Sequence, residues 1–174
     1  METIKWKAEW RVVKFFDPQG EIAERLKRGA SLEETIASCG GCLADEQFEG
    51  NVALNEGLQG IIDLICNLAS VTPWDESHAR VGVGDSSTPP SPTQTGLLGS
   101  NQAYAPMDAG YPVRTNQTVE WRGTFGGDEA NFHWYEFTVD NGPDAQVNLN
   151  RTVADKGVKS SGETWVLSLK ITFS

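Results

Sequence analysis

Basic residues are scarce in this chain: 14 lysines and arginines stand against 24 aspartates and glutamates, a formal net charge of −10. A surface with that balance has no field that attracts a phosphate backbone, so nucleic acid is not expected among the partners. Long apolar runs are missing as well. The longest, around Ile61 to Leu68, is interrupted by Asp63 and Asn67, and Lys5, Lys7 and Glu9 stand where a secretion signal would need an apolar stretch. No membrane partner is expected, and the protein is expected to stay in the cytoplasm of the cell that makes it. Heptad runs, glycine triplets and internal repeats are also lacking, which argues against a fibrous shaft.

Histidine is limited to His78 and His133, the two side chains that could act as unperturbed bases near neutral pH. There is no G-x-S-x-G elbow and no H-E-x-x-H pair. Three cysteines cannot pair completely, and a chain of this size does not need disulfides, so reduced thiols are expected. Cys39-Gly-Gly-Cys42 has the spacing of a redox dithiol or half a zinc site, with Cys66, His78 and His133 as possible partners. No second CxxC exists and the preceding residues read as helix, so the motif is taken as a Gly-Gly turn ending that helix. Gly82-Val83-Gly84-Asp85-Ser86-Ser87 lacks the lysine of a phosphate-binding loop, and prolines follow where a helix should start. Asp128 and Glu129 in a Gly-rich loop supply too few oxygens to hold calcium by themselves. No catalytic residue, metal site or cofactor is therefore predicted.

What is present is patterning. With 39 % hydrophobic and 22 % charged residues, the 174-residue chain is expected to fold as a single domain over 1–174. Ile4, Trp6, Ala8, Trp10 and Val12 alternate with charged residues, the period of a strand with one wet face. Asp17-Pro18-Gln19-Gly20 turns the chain into a helical insertion over residues 17–45. There Ile22 and Leu26 suggest one short helix, and the capping pattern Ser31-Leu32-Glu33-Glu34 starts another ending near Ser38. Gln47 to Ala53 reads as a strand. Leu54, Leu58, Ile61, Ile62, Ile65 and Leu68 then fall on one face of a principal helix, capped by Asn55, whose apolar stripe is expected to be core.

Strand alternation resumes at Ala79–Val83, Thr118–Phe125, Trp134–Val139, Val147–Leu149 and Trp165–Phe173. The last of these is expected to be central in its sheet, with the opposite face wet. Between the first two lies a long Pro/Gly-rich loop region, 85–112. Its segment DSSTPPSPTQT is expected to be exposed, to cost little stability if cut, and to contact neighbouring proteins. The predicted interface residues are Asp85, Ser86, Ser87, Thr88, Pro89, Pro90, Ser91 and Pro92, joined by Tyr104, Met107 and Tyr111. The predicted fold is α+β, mainly β: an antiparallel β-sandwich with one principal amphipathic helix and a small N-terminal helical insertion.

Several ordered blocks carry a resemblance. Phe48-Glu49-Gly50-Asn51 is followed by Leu54-Asn55-Glu56-Gly57, by Val81 to Ser87, and by Tyr104 with Met107-Asp108-Ala109-Gly110-Tyr111-Pro112. Then come Phe125-Gly126-Gly127-Asp128-Glu129-Ala130-Asn131-Phe132, Leu149-Asn150-Arg151 and Ser161 to Ser174. Over about residues 48–174 the chain resembles a group of small structural proteins of tailed-bacteriophage virions. The resemblance implies a non-enzymatic virion component, made in the host bacterial cytoplasm. Its implied partners are copies of itself and other virion proteins such as the major capsid protein or tail and neck proteins. A capsid decoration or cement protein is the preferred expectation, followed by a tail or neck component and a fibre tip. A small phage-encoded hydrolase or metal-dependent enzyme is the alternative of another class.

Overall fold

In the computed structural model, which describes residues 5–50, 52–68 and 71–174, the chain forms an antiparallel β-sandwich with three helices. Ile4 and Asn51, which belong to the predicted N-terminal strand and to the first of the resemblance blocks, lie outside the described residues. One sheet is built from β1 (Trp6–Phe16), β2 (Cys42–Glu49), β6 (Val113–Thr115), β7 (Thr118–Phe125) and β10 (Glu163–Phe173), in the order β2-β1-β10-β7-β6. The other contains β3 (Val52–Ala53), β4 (Arg80–Gly84), β5 (Gln102–Pro106), β8 (Glu136–Asp140) and β9 (Asn148–Val153), in the order β3-β9-β8-β4-β5.

The alternation in β1 and β10 sets the core. Their antiparallel register pairs Trp10 with Leu169 and Val12 with Leu167, and β7 adds Trp121 and Phe125 opposite Leu169 and Trp165. Directly paired residues point to the same side of a sheet, so these side chains form one inner layer. Val81, Val83, Phe137 and Val139 face them from the second sheet, and all are buried. Trp134 joins the two layers, its ring edge-on to Phe125 at 5.0 Å and to Trp165 at 4.7 Å.

β10 is central as predicted, but its outer face is wet only toward its end, at Lys170. Val166, Thr164 and Ser168 are buried on that face because the helical insertion folds back over it. α1 (Glu21–Lys27) and α2 (Leu32–Ser38) lay Leu26 and Leu32 against Val13, Phe15 and Val166. Asp17 accepts hydrogen bonds from the Ile22 and Ala23 amides and from the Thr164 hydroxyl, tying the start of α1 to β10. Ser31 caps α2, which ends at Ser38, and Gly40–Gly41 forms the turn into β2. The insertion is thus shorter than 17–45, since β2 begins at Cys42 and pairs with β1.

The single strand expected over Gln47–Ala53 is divided between the two sheets. β2 ends at Glu49 in one and β3 starts at Val52 in the other. Gly50 marks the crossing, where its carbonyl accepts from the Trp10 indole at 3.0 Å. β5 lies inside what reads from sequence as irregular loop and β6 just beyond it, in residues assigned to no strand; β5 pairs with β4 from Gln102 to Pro106.

Candidate docking surface

α3 (Asn55–Cys66) follows β3 and closes one end of the sandwich. Leu54, not Asn55, is its N-cap; no side chain caps the helix, and the Asn55 amide instead donates to the Pro92 carbonyl at 2.8 Å. The face it turns to the protein is made by glycine. Gly57 sits so close to β9 that a Cβ there would lie 2.5 Å from the Leu149 carbonyl oxygen, and Gly60 rests on the Trp74 ring, where a Cβ would lie 2.7 Å from the nearest ring atom.

That choice of face overturns the expectation that the apolar stripe is core. Only Leu54 is fully buried and Ile61 half-buried, whereas Leu58 is 41 %, Ile62 54 %, Ile65 78 % and Leu68 70 % exposed. At about 100° per residue, Leu58, Ile62 and Ile65 lie roughly 140° round the helix from the glycine face. Two glycines let the helix backbone come nearer the sheet than leucine or isoleucine would, and the large side chains are rotated outward. Glu56 and Asp63 fall on the third side, about as far from the stripe as the glycines are.

Next to the stripe an apolar cleft of about 210 Å³ opens between α3 and the end of the sandwich. Trp6, Trp74, Trp121 and Phe173 line it, together with Ile171 and Ile61. Ile61 is shared, so cleft and stripe form one continuous apolar surface. The Trp74 and Trp121 indoles donate to the Val147 and Trp74 carbonyls, at 3.2 and 2.9 Å, which fixes both rings and leaves the cleft walls without a free donor from either.

The edges of the sheets offer less to a partner. β3 has two residues and β6 three, β5 ends in Pro106, and β2 carries Asp45, Glu46 and Glu49. Short strands, proline and charge are features that discourage strand addition.

The predicted loop interface is anchored, not free. Arg151 and Glu136, both fully buried, pair at 2.7 Å on the outer face of the second sheet. The loop closes over them: Arg151 Nη1 donates to the Thr88 carbonyl and to Gln94 Oε1, each at 3.0 Å, and Glu136 accepts from the Leu98 and Gly99 amides. Asp85 accepts from the Asn101 amide and side chain. Ser87, Thr88, Pro89 and Pro92 remain exposed, while Asp85, Ser86, Pro90 and Ser91 are half-buried.

Tyr104 lies under the Arg80 guanidinium, 4.4 Å from ring to charge, and Arg80 is held by a bidentate pair with Asp140. Burial pushes the Tyr104 phenol up to about 12. Tyr111 stacks likewise on Arg122 at 4.3 Å and accepts a hydrogen bond from it. Met107 is buried in the core, so its side chain is not available to a partner.

The histidines and cysteines that sequence offers for chemistry are dispersed. His78 pairs with Asp75 at 2.7 Å and His133 with Asp155 at 2.6 Å, at different places on the surface. Cys39 and Cys42 pack beside the α1–α2 cluster, burial raises the Cys42 thiol above its ordinary value, and Cys66 is exposed at the end of α3. Among the described residues no three histidine, cysteine or acidic side chains come together as a metal site, and no helix is long and apolar enough to cross a membrane.

The chain matches no protein-family model, no curated protein and no solved structure.

Proposed function

We propose that the protein is a non-enzymatic structural subunit of a tailed-bacteriophage particle, and within it a decoration or cement protein of the capsid. The observation that carries the reading is the contiguous apolar surface of α3 and its cleft at the end of the sandwich. Monomeric proteins rarely leave an apolar patch of this kind uncovered unless it meets a partner. Aromatic walls in which the Trp74 and Trp121 indole donors are already satisfied suit a contact that excludes water.

The blocks that resemble virion proteins support the same reading through what they do in the fold. Phe48 stacks on Trp10 and packs at a tilt against Phe137, and Gly57 seats α3. Asp108 holds Arg122, and Arg151 holds the proline-rich loop. These are roles in building a shape for packing. The exposed turn Ser87–Pro89 provides a second surface for neighbours in the particle.

Quantitative proteomics of purified particles tests the assignment. A fixed number of copies per particle is expected, retained through density-gradient purification; presence in the infected-cell lysate alone would reject it.

A further inference from the structure

We propose that the α3 surface is a homodimer interface: two copies pair about a twofold axis, each inserting its Ile65–Leu68 corner into or beside the aromatic cleft of the other. The proposal rests on the reading of this surface as a docking site and names its occupant.

Three features favour a second copy. A twofold contact brings the same patch to itself, so the patch must be self-complementary, and a knob beside a hollow of the same chemistry meets that condition. Ile61 belongs to both, with Ile65 one helical turn beyond it, so knob and hollow sit side by side on one surface.

Area is the second feature. At roughly 180 Å² for a fully open leucine or isoleucine, the exposed parts of Leu58, Ile62, Ile65 and Leu68 offer on the order of 400 Å²; with the cleft walls, two copies approach the ~1,000 Å² that separates specific interfaces from incidental ones.

Charge is the third. The stripe residues Leu58, Ile62 and Ile65 are uncharged, and Glu56 and Asp63, the acidic residues of α3, lie on another side of the helix. Stripe-to-stripe pairing therefore does not press these carboxylates together. At longer range the net charge of −10 on each copy opposes the encounter, so the dimer should tighten as salt screens it.

Sedimentation velocity of the full chain across the micromolar range, at low and high salt, reads the outcome. A dimer that tightens with salt is expected. Ile65→Glu and Leu58→Glu should each weaken it at least about tenfold while melting like wild type, whereas Gln59→Glu, outside the stripe, should leave it unchanged. A wild type that stays monomeric, a dimer indifferent to both stripe variants, or one that loosens with salt would each overturn the proposal. If Ile65→Glu melts early, Ile65→Ser replaces it under the same criteria. Because particle proteomics is a separate measurement, a monomeric protein found in particles would reject the pairing alone. A dimer absent from particles would reject the virion role alone.

Discussion

At the scale of single residues, the outer faces of the sheets are organised by buried cations. Arg122 donates from one side chain to Asp108, to the Tyr111 hydroxyl and to the Leu26 and Ala30 carbonyls, so it ties the end of α1 to β7. Lys159, between β9 and β10, plays a similar part by tying down the loop after β7, donating to the Gly126 carbonyl at 2.7 Å and to Asn131 Oδ1 at 2.8 Å. Both of those acceptors are neutral. Burial pushes the Lys159 pKa down to about 8, against the pull of Glu163, Glu129 and Asp128, while in the unfolded chain it returns toward its ordinary 10.5. Between these values the unfolded chain holds more protons than the folded one, so this lysine makes stability rise with pH from about 8 to 10; below that window both states are protonated and the cost of burying the charge is felt in full. Urea unfolding at stepped pH should show this rise in wild type relative to Lys159→Met. Parallel pH profiles for the two proteins would show that Lys159 stays charged in the fold.

At the scale of elements, α3 separates what a periodic pattern tells from what it leaves open. The 3.6-residue period of Leu54 to Leu68 places a helix where one is found, yet the stripe alone cannot say that glycine makes the contact. Gly57 and Gly60, three residues apart on one face, are the signal, because only a residue without a Cβ allows the backbone-to-backbone approach seen at Leu149. The sign of one substitution tests it. On an open helix surface, Gly57→Ala would stabilise by up to about 1 kcal/mol through helix propensity. Against the Leu149 and Asn148 carbonyls it should destabilise by roughly 1 to 3 kcal/mol, since the backbone beneath cannot yield. Thermal unfolding gives the sign, and faster amide exchange confined to α3 would show that the helix has lifted. A stabilised variant would place α3 farther from β9 than described.

At the scale of the molecule, the sandwich was legible wherever strands alternate over an inner face: β1, β7, β8 and β10 all follow their apolar period. β5 and β6 were not, because Ala103, Ala105 and Pro106 carry little strand signal and β6 has only three residues. Their pairing comes from neighbours already in place. The long loop escaped for a related reason. Its sequence has few apolar side chains, which suggests a free connection, but its anchoring uses backbone carbonyls and amides that meet Arg151 and Glu136, residues far away in the chain.

The expectation that this loop could be cut at little cost is thereby reversed. Replacing residues 85–95 by a short Gly-Ser link removes the Thr88 carbonyl and Gln94 from Arg151 and Asp85 from Asn101, and opens a charged pair that the fold had closed off. Hydrogen bonds to charged groups contribute about 1.5 to 3 kcal/mol each, against ~0.6 kcal/mol regained per halving of loop length, so a net loss of roughly 2 to 4 kcal/mol is expected. Ser87→Ala with Pro89→Ala, which alters only the exposed turn, should stay within about 0.5 kcal/mol of wild type. Denaturant unfolding of the two variants separates anchoring from display: a shortened chain as stable as wild type would mean that Arg151 and Glu136 satisfy each other without the loop. If it is destabilised as expected, incorporation of the double alanine variant into particles is the measurement that isolates what the turn offers to neighbours.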